Sequence, residues 1–196
     1  VRALLLVLLV TLLTACGSDA AGGGATPENA SVAIMGQRLS DLSDPDQPPR
    51  YERYPECMGV AVSPTTILTA AHCEPVGSSF LIVDAPTWQR TSSGVAFADL
   101  AFDAGEVRTL VPRQPLLNWA LPAAAADGPA VFVVIRGSDF VALPTVLTGD
   151  RMTGDVEHGD SGAGVFQSGR LVGLTQACTA PDDVTCSGGG RFSPVP

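Results

Sequence analysis

The sequence predicts an all-β fold built from short antiparallel strands. Three observations carry this. Apolar residues alternate with polar ones over short runs, which is the period of a strand with one buried face. The 21 glycines and 16 prolines supply many turns. No internal repeat or amphipathic helix of useful length interrupts the pattern. At 196 residues the chain has room for one domain, or for two small halves sharing an interface. A composition 45% hydrophobic and 16% charged is enough for a sizeable core. The net charge of −9 excludes nucleic acid as a partner, which would need a basic face.

Taken in order, 31–39 contains Val32, Ala33, Ile34 and Met35 and reads as a first strand. Residues 41–55 are polar and proline-rich and read as a loop. Strands at 59–62 and 66–69 flank a Ser63-Pro64-Thr65 turn, and 80–83, 94–98 and 106–111 are further candidates. The alanine-rich stretch 118–128 is the best boundary between two halves. Beyond it, 131–136 is β-branched and ends at Gly137-Ser138. Strands at 142–148, 163–167 and 171–176 follow, the last two joined by a Ser168-Gly169 hairpin turn.

Residues 1–15 read as an export signal: Arg2 supplies the positive charge, and the apolar run that follows is short for a membrane span. Leu13-Thr14-Ala15-Cys16 resembles the bacterial lipobox, which implies lipidation of Cys16 and a membrane anchor through it. Residues 16–30, rich in glycine and alanine, then read as a flexible tether. The expected location is the bacterial cell envelope, as a lipoprotein, or the secreted fraction. Cys57, Cys73, Cys178 and Cys186 remain, an even number that in an exported chain suggests two disulfides. Three pairings are possible, with Cys57–Cys73 and Cys178–Cys186 nearest in the chain. No Cys-x-x-Cys or paired-histidine spacing points to a metal.

The chemistry sits in two short words. Thr69-Ala70-Ala71-His72-Cys73 presents a histidine, and Gly159-Asp160-Ser161-Gly162 a serine between glycines. A serine hydroxyl is a weak nucleophile until a base takes its proton. Only His72 and His158 are available, and His158 shares the short turn of Ser161, so His72 is the candidate base.

These words, with Asp99-Leu100-Ala101-Phe102 between them, resemble the chymotrypsin-like (trypsin-type) serine proteases from about Cys57 onward. The resemblance implies two packed antiparallel β-barrels, about 31–122 and 123–196, within a compact protease domain over 31–196. It implies a triad of His72, Asp99 and Ser161, with Asp103 a rival third member. It places the N–H groups of Gly159 and Ser161 in an oxyanion hole and makes Cys57 the partner of Cys73. Asp155 takes the place of the carboxylate that reads a basic P1 residue. Gln176, Ala177 and Cys178 fall on the substrate-pairing strand.

Three departures accompany the resemblance. Ile34-Met35-Gly36-Gln37 only faintly echoes the new terminus of a cleaved zymogen, so Asp160 needs an arginine or backbone donors in place of that amine. Ala163 and Gly164 replace the glycine and proline after the nucleophile. The strand around Arg191 and Phe192 ends the sequence without the family's terminal helix. The expected function is a secreted serine endopeptidase acting through an acyl-enzyme on a protein or peptide substrate, with no cofactor. The rivals are a catalytically inactive protease-fold module that binds peptide or protein, and an esterase on the same triad.

Overall fold

The computed structural model describes residues 25–41, 50–73, 81–84, 90–93, 106–112, 115–137, 139–178, 185–186 and 189–195. Asp99, Asp103, Cys16 and the export segment lie outside them, as do the side chains of Ala177, Cys178 and Cys186. The described residues are β-rich, with one helical turn among them, α1 (Pro27–Ala30), capped by the Thr26 hydroxyl accepting from Asn29 N. Ala30 is fully buried, so the end of the expected tether is seated in the core.

The N-terminal half is a six-stranded sheet formed by β1 (Ser31–Asp41), β2 (Arg50–Ser63), β3 (Thr66–Ala70), β4 (Leu81–Asp84), β5 (Arg90–Ser93) and β6 (Val107–Leu110), in the order β5-β4-β1-β2-β3-β6. β2 begins at Arg50, well inside the stretch expected to be loop: proline and charge are tolerated there because β1 supplies a ladder from Asp41 back to Ser31. The strand expected at 94–98 lies outside the described residues. Ile34 is buried in mid-strand, paired with Cys57 on one side and Ile82 on the other.

The C-terminal half closes into a barrel of β7 (Gly128–Arg136), β8 (Asp139–Thr148), β9 (Arg151–Met152), β11 (Gly164–Gln167), β12 (Arg170–Cys178) and β14 (Gly190–Pro194). The two-residue strands β10 (Val156–Glu157) and β13 (Thr185–Cys186) pair outside it. These and β9 are too short to show a periodic signal in sequence. Ser168 and Gly169 both take positive φ in the β11–β12 hairpin, the backbone such a two-residue turn requires. The linker holds both halves: Ala120 N donates to Ala61 O, and Ala123 N to Leu171 O, each at 2.8 Å. Phe132, Phe166 and Phe192 fill the core of the second half, and Ile67 and Leu110 that of the first. No helix among the described residues is long and apolar enough to cross a membrane.

Candidate active site

Ser161 sits on the turn between β10 and β11, pressed against the first half of the molecule. Its carbonyl accepts from Met58 N of β2 at 2.7 Å, while Gly162 N donates to Thr175 O of β12 at 2.7 Å. Gly162 has φ of 81°, and a side chain there would collide with the Met58 carbonyl and the Thr69 hydroxyl. That hydroxyl donates to Met58 O at 2.6 Å in a buried setting. Close approach of three strands thus explains the glycine after Ser161.

His72 follows β3. Its neighbour Cys73 forms a disulfide with Cys57, and Cys73 Sγ lies 3.6 Å from the Ser161 carbonyl oxygen. The disulfide therefore pins the histidine segment beside the serine segment. His72 keeps open surface, yet partial burial of its imidazole pushes its pKa below the ordinary histidine value. Ser161 Oγ donates to the Gln176 carbonyl at 3.0 Å, which directs its proton to a backbone oxygen and not to an imidazole nitrogen.

Asp160 is buried and multiply satisfied. Arg136 Nη1 and Nη2 reach its two carboxylate oxygens at 2.8 Å each, and Glu157 N donates to Oδ2 at 2.8 Å. Arg136 closes β7 and was invisible as a site residue in the sequence; its only signal is a charge ending an apolar run just before Gly137. Its hydrogen bond to Asp160, set against partial burial, raises its pKa, and the charges of Asp160, Glu157 and Asp155 add to the effect. Gly159 has φ of 100°, a backbone that L side chains rarely adopt, directly before this locked aspartate.

Asp155 is exposed, and its carbonyl accepts from Arg136 Nη2 at 3.2 Å. Gln176 is buried, and Ala177 and Cys178 pair with Arg191 and Gly190 along β14. Glu106, not singled out by the sequence, caps β6: its carbonyl accepts from Ala71 N at 2.8 Å and from Gln176 Nε2 at 3.0 Å. Among the described residues, no cluster of His, Cys, Asp or Glu is placed to hold a metal ion.

No family model and no curated protein matches the chain. Solved structures do. The HtrA-type protease AlgW with decapeptide superposes with TM-score 0.67 at 13% identity, over 86% of this chain and 61% of that one. This chain therefore spans about three fifths of the AlgW chain. The MamO protease domain from Magnetospirillum magneticum gives 0.61 at 13% identity, over 86% and 93% of the two chains. The active form of Rv3671c protease from M. tuberculosis gives 0.57 at 18% identity, over 90% and 86%. At such identities the likeness is one of fold. The closed barrel, the second six-stranded sheet and these neighbours together identify the fold of this chain as that of the trypsin/chymotrypsin-like serine proteases.

Proposed function

We propose that the chain is an exported serine endopeptidase. Ser161 Oγ attacks the substrate carbonyl while His72 takes its proton, and the same proton is delivered to the leaving amine as the acyl-enzyme forms. Water then repeats the sequence to release the acid. The N–H groups of Gly159 and Ser161 bind the oxyanion, where one donor typically contributes about 3–4 kcal/mol. A carboxylate behind His72 fixes its tautomer; Asp99, which the sequence offers, lies outside the described residues. The observation that carries the reading is the packing of Cys73, next to His72, against Ser161 across the disulfide. A peptide substrate is favoured by the decapeptide held by AlgW, and Asp155 is proposed to bias P1 toward basic residues. Export agrees with a disulfide, which persists in oxidising compartments, and lipidation at Cys16 is proposed along with it.

The test is covalent labelling with a serine-directed fluorophosphonate, beside Ser161→Ala, followed by turnover of peptide amides and simple esters. Labelling that disappears in the variant, with amide cleavage, supports the proposal. Well-folded protein that binds peptides without labelling would mean an inactive binding module, and ester turnover without amide turnover an esterase.

A further inference from the structure

We propose that Gln176 restrains the nucleophile of the free protein: its carbonyl holds the Ser161 hydroxyl away from His72, and its side-chain amide fixes that carbonyl in place. The inference rests on the endopeptidase reading above and adds to it a positioning residue and a resting state.

The acceptor is a product of strand register. β12 pairs with β14 through Thr175 opposite Phe192 and Ala177 opposite Arg191, so Gln176 is the extra residue of a bulge, with no partner across from it on β14. Its neighbour Thr175 is already engaged, its N–H on Ala163 O at 2.8 Å and its carbonyl on Gly162 N at 2.7 Å. A bulge re-aims the groups it carries. Here the Gln176 carbonyl meets the serine turn, and Ser161 Oγ donates to it at 3.0 Å.

The side chain supplies the anchor. Gln176 is buried, and its Nε2 donates to Glu106 O at 3.0 Å, from the second half of the molecule to the first. Glu106 O also accepts from Ala71 N at 2.8 Å, next to His72. The bulge is thereby tied to the histidine segment as well as to β14.

The serine backbone has little freedom of its own. Its carbonyl accepts from Met58 N and the following N–H is bound to Thr175 O, so rotation about the Cα–Cβ bond is what remains to carry the hydroxyl to an imidazole. Burial is the cause that lowers the His72 pKa, with no contribution from a serine hydrogen bond. A hydroxyl bound to a backbone oxygen receives no help from a base, and without that help it is a weak nucleophile. Leaving the carbonyl costs one hydrogen bond, which holds back the freed hydroxyl by about 3- to 10-fold. The restraint is internal to the folded chain and needs no cleavage to set or lift it.

The test pairs labelling with titration. Gln176→Met keeps the approximate volume and orphans no group, because Glu106 O retains Ala71 N; it removes the anchor alone. This variant is expected to label with fluorophosphonate about 3- to 10-fold faster than the parent. A damaged fold would slow labelling, so the direction of the change separates restraint from structure. His72 is also titrated by NMR with and without Ser161→Ala, with His158 as the internal reference. In the parent, Ser161→Ala should leave the His72 titration unchanged. In Gln176→Met, where the hydroxyl is free to donate to the neutral imidazole, Ser161→Ala should raise the His72 pKa. Unchanged or slower labelling of folded Gln176→Met overturns the proposal, as does a His72 titration that moves with Ser161→Ala in the parent. Where Gln176→Met does not fold, the parent titration alone decides. If neither protein labels, the endopeptidase reading fails, and the two titrations still decide where the hydroxyl rests.

Discussion

Arg136 grips Asp160 with both terminal nitrogens, each 2.8 Å from a different carboxylate oxygen, directly before Ser161. The aspartate is almost fully buried, and the guanidinium is about a quarter exposed. In this geometry the turn bearing Gly159 and Ser161 is held by a side chain of the same barrel, with no chain terminus involved. The weak echo of a cleavage-generated terminus at Ile34 has a structural explanation: Ile34 is buried between two paired strands, where neither cleavage nor release of a free amine fits.

Removing the arginine leaves a buried carboxylate without its main partner. Arg136→Ala is expected to destabilise the protein by about 3–5 kcal/mol, read from denaturant midpoints. Arg136→Lys should recover only part of this, because an ammonium cannot make two parallel bonds. Fluorophosphonate labelling should fall more steeply than stability in both variants.

Activity should not need proteolytic maturation near Ile34. Purified chain whose intact mass shows no cleavage in 25–41 is expected to label at Ser161 at full rate. A rise in labelling after limited trypsin treatment would count against the role given to Arg136.

In its proposed role as base His72 must be neutral, and burial pushes its pKa down. The acid limb of kcat/KM is therefore expected below about 6.5, the ordinary histidine value. The sign for stability follows: the unfolded chain takes up a proton on this histidine at a higher pH than the folded one. Stability tied to His72 is full above about 6.5 and declines as pH falls toward the lowered value. His72→Gln should flatten that part of the pH–stability curve.

The Cys57–Cys73 bridge closes a short loop, with a sequence separation of 16. Its removal by paired Cys→Ala substitution is expected to cost about 3 kcal/mol. Labelling should drop further than stability alone dictates, because the bridge also packs against the Ser161 carbonyl.

Gly162→Ala should be among the most damaging single-methyl changes in the chain. A φ of 81° costs a non-glycine residue about 1–3 kcal/mol, before the collision with Met58 and Thr69 is counted. Thermal melts beside Gly169→Ala, where a side chain meets open space, separate collision from backbone strain.

What the sequence determined by itself was local: the strands at β3, β7, β11 and β12 and the Ser168-Gly169 hairpin, while the Cys57–Cys73 pairing came from the family resemblance and not from spacing. Alternation of apolar residues and glycine at positive φ are written within a few neighbouring positions, so they survive without knowledge of the fold. The expected loop failed over 50–55 because β1 supplied a partner that overrode a poor strand composition. Only the tertiary structure chose Arg136 for Asp160, set the Glu106 carbonyl between Ala71 and Gln176, and packed Cys73 on Ser161. Those contacts join residues far apart in sequence, and sheet register and barrel closure decide which side chains meet; a shift of one residue would turn each of them to the opposite face.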